Sequence, residues 1–502
     1  MAIQVVTTEQ STLFTIRTKH TTYQMKADEY GVLLHLWYGA SVEGDMSYLL
    51  DYPDVGFSGN LYEAENRRTY SLNTLPLEYA TEGVGDFRIP AVAATHADGS
   101  NALDLRYQSY NILKGKYAIA GLPAVYADED EAETLEIVLK DTATDLQVTL
   151  RYGVLPELDM LTRCVSIQNL GTTPITLTKA ASFCLDLPYG KWEWMHFHGR
   201  HAMERITERT PLIHGIQESS STRGTSSHHQ NPTAILCTPD CTETNGSCFG
   251  AAFLYSGSFQ TKIEYDQMRQ ARMVMGLHPD LFRWELQPHA TFDTPEVLFT
   301  YSDSGLETLS HRFQKTIREH VCRGKYQKIE RPVLINNWEA TYFDFNEEKI
   351  LKIAEEAARL GVDMLVLDDG WFGRRNDDTS SLGDWVPNTK KLPGGLSRLA
   401  KKITDLGLAF GIWVEPEMVS VDSDLYRKHP DWTIEIPGKP HAEGRNQRIL
   451  DLGRREVQEY IIASMTKVFS SAPVSYLKWD MNRTFSDYYS QNLPAAQQGE
   501  VA

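Results

Sequence analysis

The sequence predicts a multidomain fold: an N-terminal antiparallel β-sandwich (a supersandwich) followed by an incomplete (β/α)8 barrel. Three observations carry this. Up to about Tyr301, short alternating apolar runs follow one another with no helical period between them. Near Ser302 the period changes, and strands and helices then alternate, the order of a parallel sheet with crossover helices. The apolar strands of this second part end in charged or aromatic residues, as in a barrel whose active groups sit at the C-terminal strand ends. A chain of 502 residues suits several domains better than one core.

In the first part, Leu135–Leu139 and Leu146–Leu150 flank the turn signal Asp141-Thr-Ala-Thr-Asp145 and read as a hairpin. Val165–Leu170 and Ile175–Thr178, around Gly171-Thr-Thr-Pro174, read as a repeat of that motif. Over Ser302–His320, Leu306, Leu309, Phe313 and Ile317 mark one helical stripe, expected to link two domains. The boundaries are thus 1–301 for the sandwich, 302–330 for a helical linker and 331–502 for the first half of the barrel.

Within the barrel, Val333–Trp338 is an apolar strand. Asn346 is placed to cap a helix, with Glu347 and Glu348 in its first turn and Gly361 as its stop. Ile350, Leu351, Ala354, Ala357 and Ala358 give it one packed face. Met364–Leu367 is a buried parallel strand, and a helix near Leu396–Leu406 stops at Gly407. Phe410–Val414, a helix near Arg455–Phe469 and Tyr476-Leu477 complete the series. A doubly wound nucleotide-binding sheet is disfavoured: the only GxG, Gly83-Val84-Gly85, lies in the β region and lacks a third glycine.

The net charge of −18, from 49 basic and 67 acidic residues, argues against nucleic acid or an anionic membrane as partner and suits a neutral ligand. Ten Trp and 24 Tyr are compatible with sugar stacking and equally with core packing. No apolar run reaches the roughly 18 residues of a membrane span, and MAIQVVTTEQ shows no signal-peptide pattern, so a cytoplasmic location is expected. Six scattered Cys, with Cys237 and Cys241 flanking TPD, complete no zinc pattern; no metal or other cofactor is expected.

The chemistry concentrates in Leu477-Lys-Trp-Asp-Met-Asn-Arg483. Side chains two apart on a strand share a face, so Lys478, Asp480 and Asn482 point one way and Trp479 and Met481 the other. Lys478 is placed to keep Asp480 ionised, and Asn482 to orient it or bind a hydroxyl. An ionised, oriented carboxylate fits the nucleophile of a retaining glycosidase; a salt-bridged strand end is the structural alternative. Asp368-Asp369 suits capping, hydroxyl binding or, with Glu415 and Glu417, a metal. Trp338 and Trp413 could stack on a pyranose or pack in the core. His228 and His229, beside Ser227, lack an acyl-transfer context and read as a polar loop.

Together these segments resemble glycoside hydrolase family 36, the α-galactosidases of bacterial and fungal type. The likeness rests on VLDDGWFGRRNDDTSSLGDW (366–385), FGIWVEPEMVS (410–420) and LKWDMNR (477–483), with GVGDFR (83–88), HFHGR (196–200) and RGTSSHHQNP (223–232) in the β region. It spans nearly the whole chain. The resemblance implies Asp480 as nucleophile and Asp368 and Asp369 as galactose ligands, with Trp338, Trp413, Arg445, Lys478 and Asn482 lining the pocket. It also implies a homotetramer in which a neighbour's sandwich, through Asp54 and Arg67, reaches the active-site mouth. The family places a Trp after His198-Gly-Arg200, where this chain has His201.

A complete barrel takes about 250 residues, and only about 170 follow Val333. The family's acid/base aspartate falls past Ala502, as does a C-terminal β domain. The sequence is therefore expected to be a fragment that supplies the nucleophile and not the acid/base, with little or no turnover of its own. The function implied is retaining hydrolysis of terminal α-D-galactosyl residues of melibiose or raffinose type. The alternatives are a non-catalytic galactoside-binding or assembly protein, and a galactosyl transferase or α-N-acetylgalactosaminidase on the same fold.

Overall fold

The computed structural model describes residues 2–57 and 59–501. It divides into two compact units, the first ending at Gln327 and the second running from Lys328 to Val501.

The first unit is built of antiparallel sheets of ten, six and four strands. Alternation decides which side of each strand enters the core. In Glu133–Asp141 and Leu146–Leu155, every second residue is buried, and the two strands pair as the expected hairpin. Phe183 of the six-stranded sheet meets Phe299 of the ten-stranded sheet with ring centroids 4.9 Å apart, and Tyr23 of the four-stranded sheet reaches the same ring at 6.0 Å. Met160–Asn169 and Ile175–Leu187 are both strands, but they do not form the second hairpin read from the sequence. The turn between them carries the chain from the ten-stranded sheet to the six-stranded one. Asn169 Nδ2 ties that turn by donating to the Thr173 and Leu286 carbonyls.

The helix Gly305–His320 belongs to this unit and is not a free linker. Leu309 is buried with Ile235, Cys237, Cys241 and Cys248, and Leu306 and Phe313 pack alongside; Ile317, the last residue of the expected stripe, stays exposed. The helix lies close on the sheet at Gly250, where a Cβ would come within 2.7 Å of the Phe313 ring.

The second unit holds four parallel strands in sequential order: Leu334–Asn336, Met364–Leu367, Ala409–Val414 and Val474–Trp479. Sequential order without reversal is the order of a barrel; a doubly wound sheet reverses at a switch point. The connecting helices obey local rules. Asn346 Oδ1 accepts from Lys349 N and caps Glu347–Arg359, whose Ile350, Ala354 and Ala357 are buried. Gly361 ends it in the left-handed conformation, at φ +79°. Gly395–Asp405 buries Leu396, Leu399, Ala400 and Ile403, and Arg455–Ser470 buries Val457, Ile461, Met465 and Val468. Between the third and fourth strands the register steps by one residue at Ser475, so that Phe410 faces Val474 and Gly411 faces Tyr476. This step places Lys478 opposite Trp413.

Candidate active site

The four strand ends supply one connected set of polar side chains. At the first, Asn336 Nδ2 donates to Asp368 Oδ2 at 2.5 Å, and Asn337 Oδ1 accepts from Asp368 N at 2.8 Å. At the second, Asp368 and Asp369 are each 2% exposed. Lys478 Nζ, from the fourth strand, reaches Asp368 Oδ2 at 2.8 Å. Asp369 is gripped by Arg375, whose Nε and Nη2 donate to its two oxygens at 2.8 and 2.9 Å. Burial nonetheless raises the Asp369 carboxyl above the usual carboxylate range against the pull of Arg375 and Arg445.

The third and fourth strand ends are bound to each other. Asp480 N continues the ladder to the Val414 carbonyl at 2.9 Å. Asp480 Oδ2 accepts from Trp413 Nε1 at 3.0 Å and from Asn482 Nδ2 at 2.8 Å. Its Oδ1 accepts the Met481 N–H at 3.1 Å. Two donors thus fix one oxygen of a half-buried carboxylate. Glu415, fully buried, accepts Asn482 N at 2.6 Å and Gln447 Nε2 at 3.0 Å. Burial, with the charges of Asp480 and Asp369, lifts its carboxyl to about 7.

The arrangement corrects the reading of Lys478. Its ammonium pairs with Asp368, not with Asp480. The donors that hold Asp480 are the indole of Trp413 and the amide of Asn482, neutral groups that orient without adding charge. Trp413 is also not an open stacking surface. It is 1% exposed, and its ring lies parallel to Phe372 at a centroid distance of 6.2 Å. Trp338 is half-buried, edge-on to Tyr342 and Phe343, and begins a short helix after the first strand. Trp479 and Met481 are exposed, and Trp479 Nε1 donates to Glu417 Oε1 at 3.1 Å. Arg445 and Asn446 are consecutive non-glycine residues in the left-handed region, at φ +53° and +55°, in an exposed loop; the charge of Arg445 acts on Asp369.

Asp54 and Arg67 lie in the first unit. Asp54 pairs there with Arg68 at 3.0 Å, and Arg67 sits over the Tyr52 and Tyr70 rings and reaches Glu29 at 3.4 Å. His228 and His229 lie in a loop with their ring centroids 4.4 Å apart and tilted, and Ser227 Oγ is 3.3 Å from His229 Nδ1. Among the described residues no group of three His, Cys, Asp or Glu could hold a metal ion.

The chain as a whole is similar to known proteins. The family model described as Glycosyl hydrolase family 36 N-terminal domain matches residues 31–287, and that described as Melibiase matches 291–502. The α-galactosidase AgaA of Geobacillus stearothermophilus is 47% identical over 98% of this chain and 68% of its own length.

The chain belongs to glycoside hydrolase family 36.

The bifunctional α-galactosidase/sucrose kinase AgaSK of Mediterraneibacter gnavus is 51% identical over 96% of this chain. Among solved structures, the family 36 α-galactosidase AgaB of Geobacillus stearothermophilus superposes with a TM-score of 0.96 at 45% identity, over all of this chain and 68% of its own. The chain spans about half the length of AgaSK and about two thirds of AgaA and AgaB.

Within this strand-end set the sequence reading missed Arg375, Asn336 and Gln447. Arg375 lies inside the conspicuous VLDDGWFGRRNDD stretch, and an Arg six residues after a buried acid pair was a usable signal. Asn336 and Gln447 carried none, because single amides in loops and strand ends are common.

Proposed function

We propose that this chain carries the nucleophile side of a retaining α-galactosidase site, acting on terminal α-D-galactosyl residues. The observation that carries the reading is Asp480: one oxygen is held by Trp413 Nε1 and Asn482 Nδ2, while the other, among the described residues, accepts only the Met481 N–H. Such a carboxylate attacks the anomeric carbon as the bond to the leaving oxygen breaks, giving a galactosyl ester that water then hydrolyses. Asp368 and Asp369, anchored by Lys478 and Arg375, retain acceptor lone pairs for sugar hydroxyls. AgaA variants have been solved with 1-deoxygalactonojirimycin, raffinose and stachyose, which supports a galactose-terminated ligand here.

A retaining enzyme also needs an acid about 5–5.5 Å from the nucleophile. We assign that role to none of the described carboxylates around Asp480: Asp368 is committed to Lys478, Asp369 to Arg375, Glu417 to Trp479, and Glu415 is fully buried against Asn482 and Gln447. The test therefore uses a leaving group that departs without a proton. Incubation with 5-fluoro-α-D-galactosyl fluoride is expected to add one fluorogalactosyl group, located on Asp480 by peptide mass spectrometry. Asp480→Asn is expected to take up none. A label on another residue, or none on folded wild-type chain, sinks the assignment.

A further inference from the structure

Glu415 has no place in the attack itself, yet it is the most enclosed carboxylate of the site. It stands two residues after Trp413 on the same strand end, so the two side chains share a face. Trp413 holds Asp480 directly. Glu415 holds the backbone of Asn482, and Asn482 Nδ2 holds the same oxygen of Asp480. The third strand thus grips the nucleophile twice, once through an indole and once through this relay.

The other side of Glu415 faces Gln447, which is fully buried and whose Oε1 has no hydrogen-bond partner. An amide with its nitrogen spent on a carboxylate and its oxygen orphaned suits a neighbour with two protonation states. With Glu415 ionised, Gln447 Nε2 donates to it, as seen. With Glu415 protonated, a flipped amide places Oε1 to accept the new O–H. The ionisable groups that act on Glu415 are Asp480 from the fourth strand end and Asp369, with its Arg375, from the second. The remaining contacts, Asn482 and Gln447, are neutral.

We propose that Glu415 is a positioning residue that sets the orientation of Asp480 through Asn482 and modulates its charge by exchanging a proton with solvent water, the Gln447 amide turning to match either state. The inference rests on Asp480 being the nucleophile. While Asp480 is an anion, its repulsion favours the protonated acid at Glu415. Once Asp480 becomes a galactosyl ester, that repulsion is gone and Glu415 releases its proton to solvent water. A carboxylate at Glu415 also pushes on the Asp480 anion, and the push is relieved as Asp480 attacks. Attack is therefore faster when Glu415 is ionised. The raised carboxyl pKa of Glu415 puts the change near neutral pH.

The experiment measures the second-order rate of labelling by 5-fluoro-α-D-galactosyl fluoride between pH 5 and 9, by intact mass, on wild-type chain, Glu415→Gln and Glu415→Ala. Wild-type labelling is expected to rise roughly tenfold through neutral pH, the effect of about one pKa unit of repulsion. Glu415→Gln keeps the acceptor for Asn482 N and mimics the neutral acid. It is expected to lose the step and to label at all pH values at the wild-type low-pH rate. Glu415→Ala is expected to label at least another tenfold more slowly at pH 8, with a melting transition that shows the unit folded. A step that persists in Glu415→Gln, or wild-type rates in Glu415→Ala, overturns the proposal alone. Absence of any label on Asp480 in folded wild-type chain overturns the nucleophile reading and this inference with it.

Discussion

Two buried carboxylates, one in each unit, show how the same burial serves opposite ends. Glu78 in the first unit is fully buried, as is Glu415 in the second. Around Glu78 stand Arg163 at 2.9 Å, His35 at 3.0 Å, and the Tyr23 and Tyr152 hydroxyls at 2.7 and 2.6 Å. Burial pushes its carboxyl up, but Arg163, then His35 and Tyr152, outweigh it and hold the acid below its ordinary range. Asp86 repeats the pattern: Arg272 and Arg88 overcome its burial. Glu415 has only neutral donors and two acidic neighbours, and sits near 7. A carboxylate surrounded by cations is fixed in one charge state and serves the fold. One left short of cations can change state, and such groups collect where chemistry is done.

The comparison breaks most sharply at Arg163. Arg163→Met leaves Glu78 as an uncompensated buried charge and is expected to cost about 3–5 kcal/mol in denaturant unfolding of the first unit. A loss below about 1 kcal/mol would show that Glu78 simply takes up a proton, as Glu415 does. The pH dependence has opposite signs in the two places. The depressed Glu78 and Asp86 carboxyls contribute stability that is present above the ordinary carboxylate pKa and is lost as pH falls through their folded values.

Glu415 is raised from 4.5 to about 7, so it costs nothing below its unfolded pKa and progressively more as pH rises from there towards neutrality. Glu415→Gln is expected to stabilise the second unit by roughly 2–3 kcal/mol at pH 8 and by nothing at pH 4, read from urea melts at both values. Equal effects at the two pH values would remove the raised pKa from the account. Asn482→Ala deletes a hydrogen bond to a charged oxygen, worth about 1.5–3 kcal/mol when made to a buried charge and less at a half-buried one. It is expected to slow labelling of Asp480 while leaving the melt nearly unchanged. An effect on stability alone lies away from both carboxylates. Asn346→Ala removes a helix cap and is expected to cost about 1 kcal/mol of second-unit stability with no change in labelling.

Much of this was legible in the chain. Asn346, the acidic first turn and Gly361 marked a helix because capping is local chemistry, confined to a few residues. Met364–Leu367 announced a strand buried on both faces. The common face of Lys478, Asp480 and Asn482 followed from the two-residue period of a strand. The second hairpin failed for an equally physical reason. Gly171-Thr-Thr-Pro174 encodes a turn, but whether the next strand returns beside its predecessor or crosses to another sheet depends on which apolar faces meet, and that is non-local. The helix read as a linker packs on its sheet because Gly250 leaves room for it, a fact recorded 50 or more residues away from the stripe itself.

The sequence by itself determined the element types, the strand ends that carry the polar groups, and the family to which they belong. The tertiary structure decided the partners. Lys478 turned from Asp480 to Asp368, Trp413 became a donor to Asp480, and Glu415 became the support of Asn482. Periods of 2.0 and 3.6 residues fix which side of an element a residue occupies. They say nothing about what lies across the sheet. That is set by register, and here one extra residue at Ser475 brings Trp413 opposite Lys478 and Asp480 to the end of the strand that carries Glu415.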